Sequence, residues 1–280
     1  VPATEHVTGK PFYGDYTYEV TPRYLVNEIL QPIDPSLTVK VKIDLSPYKK
    51  GDLQIGFTRG FVSSQAYVEH FGHNGSVRPN DTDLIFPLSD NAGPVAGETI
   101  AGIKPYSFDE QFKWMGWQAR ERIYEFLKEV KDDASLKLDV FAYDLDEPQI
   151  CRQLFDLKQQ GRVRVILDNA TLHHGKNAHG IDAFEDMFEA QYGDPSTLLR
   201  GRYSRYSHCK VLIQRRISDG TAVKVLTGST NFSTNGLYVN ANHVLIFRNP
   251  TVAQLYADVF DASFSNNDAL MKKFKDNPLS

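Results

Sequence analysis

The feature that most constrains this 280-residue chain is the stretch from Leu136 to Leu167. Leu136, Leu138 and Val140 share one face of a strand pattern, a helix opens at Pro148 and is stopped by Gly161, and the run Val163 to Leu167 is closed by Asp168-Asn169. A strand, a helix and a strand joined by so short a crossover make a parallel pair, so the sheet is at least partly parallel and helices must cover it. A helix before this unit is marked by a capping box from Ser107 to Glu110 and by Phe112, Met115, Ala119, Ile123, Phe126, Leu127 and Val130 at spacings of three and four. After it come a helix around Asp182 to Tyr192 ending at Gly193, strands near Val211 and Val223, a strand from Val244 to Phe247, and a helix from Pro250 to Phe264. The region is α/β, and no internal repeat is seen.

The first 105 residues are patterned differently. Val39, Val41, Ile43 and Leu45 alternate with Lys40, Lys42 and Asp44, and Leu53, Ile55 and Phe57 repeat the alternation after the turn at Lys50-Gly51-Asp52, which predicts a hairpin-like pair. From Pro87 to Pro105 periodicity gives way to Ser, Asp, Asn, Gly and Pro, the composition of a linker or long loop. The expected organisation is a β-rich accessory domain over 1–105 and an α/β domain over 106–280. Tyr13, Tyr16, Tyr18 and Tyr24 offer a partner surface, although aromatics in β structure usually pack.

Composition narrows the function classes. No run approaches the roughly 20 apolar residues of a membrane-spanning helix, so no transmembrane segment is expected and the chain reads as a soluble globular protein. Its first twenty residues lack a signal pattern, and the start at Val1 without methionine is expected of a processed product or a piece of a longer chain. The compartment is left open. Two cysteines, Cys151 and Cys209, are too few for a disulfide scaffold or a four-thiolate metal site. With 31 basic against 35 acidic side chains, wholesale wrapping of nucleic acid is disfavoured, while a local basic site is not. Such a site is visible: Arg200, Arg202, Arg205, Lys210, Arg215 and Arg216 fall within seventeen residues free of acids, with Tyr203 and Tyr206 between them.

That basic stretch holds the chemistry. His208 and Lys210 stand two apart on a strand, so an imidazole and an ammonium project from one face. The next strand ends in Gly228-Ser229-Thr230-Asn231, where glycine permits close backbone approach and Ser229 and Asn231 add neutral donors. A nucleophile, a fixed cation and donors for non-bridging oxygens are what displacement at a phosphodiester requires.

His208-x-Lys210 followed by Gly228-Ser229-x-Asn231 resembles the phospholipase D superfamily, whose signature is H-x-K-x4-D with G-S-x-N beyond it. The resemblance runs from the helix near Phe108 to the helix near Phe264, over residues about 107–265, and implies a mixed sheet flanked by helices. It further implies that His208 attacks phosphorus to form a phosphohistidine, that Lys210, Ser229 and Asn231 clamp the phosphate, and that neither a cofactor nor a metal is needed. A second histidine, the general acid, would come from another copy of the motif, supplied by a homodimer mate or a separate C-terminal half. Two positions depart from the pattern. Arg215 stands where Asp is expected, which leaves Asp219, in the Ser218-Asp219-Gly220 turn, for that structural role. Where many relatives carry N-x-E, this chain reads Asn240-Ala241-Asn242-His243, so the partner that orients His208 is not identified.

The implied activity is hydrolysis or transfer of a phosphodiester, with a lean to phospholipid because the net charge is -4. A nuclease and a non-catalytic phosphate-binding relative are the alternatives. A second H-x-K, His174-Gly175-Lys176, is not followed by an apolar strand or by its own G-S-x-N, and is set aside as a motif. Its neighbours His173 and His179 complete three metal-capable donors in seven residues, but no well-spaced carboxylate accompanies them. A solvated loop or a cleft lining is the expectation there.

Overall fold

A computed structural model of the chain describes residues 14–45, 49–60, 64–73, 76–80, 83–94, 102–168, 181–191, 193–201 and 207–265. The chain divides into two compact units, Val1–Tyr48 and Lys49–Ser280. In the first, β1 (Gly14–Val20) pairs antiparallel with β4 (Val39–Leu45), and two short strands, β2 (Leu25–Val26) and β3 (Ile29–Leu30), pair with each other. Tyr16, Tyr18 and Val20 stand opposite Ile43, Val41 and Val39, so the alternation of Thr38–Leu45 is met by a matching strand. Tyr18 and Tyr24 are exposed rather than packed.

The second unit is built on one eight-stranded sheet in the order β5-β6-β12-β11-β10-β7-β8-β9. In chain order its elements are β5 (Lys49–Lys50), β6 (Leu53–Phe57), α1 (Ser64–Phe71), α2 (Phe108–Asp132), β7 (Leu136–Ala142), α3 (Pro148–Gln159), β8 (Val163–Asp168), α4 (Ile181–Glu189), β9 (Leu198–Gly201), β10 (Lys210–Arg216), β11 (Ala222–Gly228), β12 (His243–Phe247) and α5 (Pro250–Phe264). The strands β7, β8 and β9 run parallel, as the strand-helix-strand pattern requires, and every other neighbour is antiparallel. Alternate residues supply two cores. Leu138, Val140, Val165, Leu212 and Leu226 pack under α2 and α3, whereas Phe141, Ile166, Val211, Ile213 and Val225 face Ala253, Ala257 and Phe260 of α5.

The expected boundary near residue 105 does not coincide with the division into units. Leu53, Ile55 and Phe57, read with the N-terminal region, lie on β6, which pairs with β12 and not with the strand of Val39. Residues between β6 and α2 also belong to this unit's core, since Tyr67, Phe71, Leu84 and Phe86 are buried against Phe108 and Phe112. The loop after β6 is held by a break in α2. Trp117 has φ 39°, ψ -130°, a conformation costly for a bulky residue, and the carbonyl of Met115 accepts the backbone N–H of Arg59 (2.7 Å) and of Gly60 (3.2 Å).

Helix ends follow the sequence signals. Ser107 and Glu110 form the capping box reciprocally, Glu147 caps α3 by accepting the Ile150 N–H with Pro148 in the first turn, and Asn249 caps α5 before Pro250. Glu147 is fully buried and accepts hydrogen bonds from the hydroxyls of Tyr124 and Tyr238, both at 2.9 Å. That network fixes the loop between β7 and α3, which borders the motif residues. Among the described residues no helix is long and apolar enough to cross a membrane.

Candidate active site

The motif residues meet at one end of the sheet because β10 and β11 are antiparallel neighbours. Leu212 is paired with Leu226, so continuing that register by two more pairs sets Lys210 beside Gly228. The segment after Gly228 then crosses the end of β10 to reach the far side of β7, where Phe232 bridges Leu145 and its carbonyl accepts the N–H groups of Asp146 (3.2 Å) and Glu147 (3.1 Å). His208, Lys210, Ser229 and Asn231 are thereby gathered around this crossing. Gly228 permits it: its φ is +146°, and a Cβ there would lie 2.3 Å from the carbonyl oxygen of His243.

His208 is exposed at the mouth of the site, while Lys210 is buried. The Lys210 ammonium donates to the His208 carbonyl oxygen at 3.0 Å and lies 5.1 Å from the centre of the Tyr143 ring, whose edge meets the His208 imidazole at 4.5 Å between centroids. Desolvation lowers the pKa of His208 below its ordinary 6.5, with Lys210 adding to this and Asp168 opposing it. The imidazole is therefore neutral near pH 7 and has a lone pair to offer. Desolvation likewise lowers Lys210 from 10.5, against the pull of Cys209 and Asp144.

Ser229 is bound to a residue outside the motif. Its hydroxyl accepts the backbone N–H of His243 and shares a hydrogen bond with the His243 Nδ1, both at 3.1 Å. The Oδ1 of Asn231 is buried and has no hydrogen-bond partner among the described residues, and the amide nitrogen is the group of this side chain that can donate to a phosphate oxygen. Where N-x-E is replaced, the side chain of Asn242 turns away to donate to the Gly236 carbonyl (2.8 Å). A buried carboxylate reaches the motif from another strand: Asp168, at the end of β8, accepts the N–H of Ser207 at 2.5 Å and faces His208 electrostatically. Asp168 and Tyr143 were not singled out from the sequence for this site. The only signal was their position at the ends of two parallel strands, where ligands collect in such sheets.

Asp219 is not brought to the site. It sits in the turn at the opposite end of β10 and accepts the Thr221 N–H (2.9 Å), which is the chemistry of a turn residue. The place in the motif where Asp was expected is filled by an inverted ion pair. Arg215 is 4% exposed and pairs with the fully buried Asp139 of β7 (2.5 Å) and with Asp261 of α5 (3.0 Å), while Arg164 holds Asp139 through two bonds of 2.8 Å. Arg200 is also engaged inside the fold, with Glu185 and the Asp168 carbonyl. Of the basic stretch, Lys210 alone among the described residues stands at the motif. Arg202, Tyr203, Arg205 and Tyr206 lie outside the described residues, as do His173, His174, Lys176 and His179.

Residues 127–264 match the family model described as "Cardiolipin synthase, PLD-like domain". Among solved structures, the chain is similar to the phospholipase D family member Nuc from Salmonella typhimurium, with 19% identity over 51% of this chain and 86% of that one and a TM-score of 0.39. It is also similar to NucT from Helicobacter pylori, with 14% identity over 53% of this chain and 91% of that one and a TM-score of 0.40. A comparison with curated proteins returns no match.

Proposed function

The α/β region of this chain is a member of the phospholipase D superfamily, and we propose on that premise that it is a phosphodiesterase working through a phosphohistidine. The observation that carries this reading is the placement of a neutral His208, a buried Lys210 and the Asn231 amide around the crossing after Gly228. The imidazole nitrogen forms a bond to phosphorus as the ester P–O bond breaks, and the departing oxygen takes a proton. Water then attacks the phosphohistidine, the P–N bond breaks, and the imidazole is restored. Lys210 neutralises charge on the non-bridging oxygens, the Asn231 side chain orients the phosphate, and Ser229 holds the rim through its bonds to His243. No step here draws on a metal or cofactor.

The proton donor must stand on the far side of phosphorus from His208, so one imidazole cannot serve both roles in one displacement. The second histidine comes from another H-x-K, carried by a homodimer mate or by a separate C-terminal half. A phospholipid is the preferred substrate class over nucleic acid. In an acidic chain, Arg200 and Arg215 are engaged with Glu185 and Asp139 instead of facing a polyanion, and the matched family is described by a lipid synthase.

The test is turnover of bis-p-nitrophenyl phosphate in EDTA by the wild type and His208→Ala, with trapping of phosphate on histidine in an alkaline denaturing quench. Turnover that survives chelator and is lost in the variant supports the reading. Wild-type rates in the variant, or dependence on added zinc or magnesium, overturn it, and no turnover by a wild-type preparation that light scattering shows to be dimeric selects the non-catalytic alternative. Parallel assays on phosphatidylcholine vesicles and plasmid DNA decide the substrate class. Light scattering across a dilution series decides assembly: full specific activity in a purely monomeric solution of this chain overturns the second-motif requirement.

A further inference from the structure

Between the two halves of the motif lies a carboxyl group that the motif does not include. The β7–β10 register pairs Ala142 with Lys210, the Tyr143 N–H donates to the Cys209 carbonyl (2.8 Å), and Asp144 is the next residue along. Its carboxyl is within electrostatic reach of the Lys210 ammonium. On its other side the chain bridges Phe232, one residue past Asn231. Asp144 is thus flanked by H-x-K on one side and by G-S-x-N on the other.

Two neighbouring carboxyls have different partners here. Asp146 is ion-paired to Arg78 (2.7 Å) and accepts the N–H of Thr234 (2.8 Å). Asp144 has no such ion pair among the described residues. It receives a hydrogen bond from Ser233, whose oxygen in turn accepts the Gly236 N–H at 3.1 Å. The charges that face it are Asp146 from its own loop, Arg78 from the segment before α2, and Lys210 from β10. Burial foremost, and then the charge of Asp146, push Asp144 up to about 6, against Ser233, Arg78 and Lys210.

We propose that Asp144 is a phosphate-binding residue of this site that engages its ligand in the protonated form, donating its carboxyl O–H to a non-bridging oxygen, so that each phosphodiester monoanion binds with uptake of one proton. The inference rests on the reading of His208, Lys210 and Asn231 as a phosphate site. An ionised carboxylate beside a phosphate oxygen is a like-charge contact in a partly desolvated place, whereas the neutral acid is a hydrogen-bond donor. The bound anion therefore raises the proton affinity of Asp144 and draws a proton from solvent. The proton goes to the carboxylate oxygen, no covalent bond to phosphorus changes, and the same proton returns to solvent when the ligand leaves.

The probe is diethyl phosphate, a monoanion throughout the useful pH range, titrated calorimetrically into the full chain in buffers of different ionisation enthalpy. At pH 7.5 the wild type takes up close to one proton, Asp144→Asn takes up almost none, and His208→Ala takes up the wild-type amount. In the wild type alone, Kd weakens about eightfold from pH 6.5 to 7.5, a measurement that needs no variant. Binding without proton uptake, or uptake retained in Asp144→Asn, overturns the inference while leaving the phosphate site intact. Loss of uptake in His208→Ala instead assigns the proton to the imidazole and overturns it too. Absence of binding in all three proteins overturns the phosphate-site reading itself, and the inference with it.

Discussion

The ammonium of Lys210 donates to the backbone carbonyl of His208 at 3.0 Å, so the cation of the site is tethered to the main chain of the residue assigned as nucleophile. Tyr143 completes the tether, with the ammonium over its ring and its edge against the imidazole. Neither relationship depends on a bound ligand. The ring acts as a wall that limits the rotamers of both side chains, and its contribution is positional.

Replacing Tyr143 by alanine removes that wall and is expected to lower kcat by about 10–100-fold with a smaller change in KM, the size of effect that follows loss of orientation around a reacting group. Tyr143→Phe keeps the ring and should retain most of the activity. Steady-state kinetics of the pair checks this. Equal loss in both variants would show that the hydroxyl, not the ring, is what matters.

The imidazole must be neutral to attack, and desolvation holds its pKa below 6.5. The acid limb of kcat/KM is therefore expected below pH 6.5, with activity falling as pH falls through it. Asp168 opposes the lowering, so Asp168→Asn should move this limb to still lower pH while the amide oxygen continues to accept the Ser207 N–H. A limb that moves upward in that variant contradicts the electrostatic assignment.

Gly228→Ala places a methyl group 2.3 Å from the His243 carbonyl oxygen at a φ of +146°, and that oxygen already accepts N–H groups from Ser229 and Thr230. The crossing of Ser229 to Phe232 cannot give way without releasing those bonds. A loss of about 2–4 kcal/mol in unfolding free energy is expected, together with loss of activity. Urea denaturation measures the first directly.

Arg215→Asp leaves Asp139 facing a second carboxylate in a fully buried place, with Arg164 as the remaining cation. Breaking a buried pair of this kind costs about 3–5 kcal/mol. The exchange Asp139→Arg with Arg215→Asp should return part of that loss. A single variant as stable as the wild type would show that the ion pair contributes nothing to the fold.

What the sequence made legible was periodic or local. The helix ends at Ser107, Pro148 and Pro250 are written in capping residues, and the parallel β7–β8 pair follows from the length of the crossover. What escaped was long-range pairing. The turn at Lys50-Gly51-Asp52 closes a short hairpin of β5 with β6, but the strand of Val39 is not its other arm, and β6 joins β12 on its second edge through Phe57 opposite His243, a partner too distant along the chain for a local pattern to encode. Tyr143, Asp144 and Asp168 lie 40 or more residues from His208 and become neighbours only through strand register. Asp219 was assigned to the missing acid of the motif by counting along one hairpin. The acid that answers Arg215 is instead Asp139, on the adjacent strand.

The pairing of β6 with β12 also decides where this protein can be cut. A fragment opening at residue 106 would keep every motif residue but lose β5, β6 and α1, leaving the backbone of Val244 to Phe247 as a bare sheet margin and stripping Arg78 from Asp146. A margin of that kind recruits strands from other chains, so such a fragment should self-associate as insoluble material. A cut at the Tyr48–Lys49 division leaves all eight strands of the sheet in place, and is the boundary at which recombinant material for the experiments above should remain soluble.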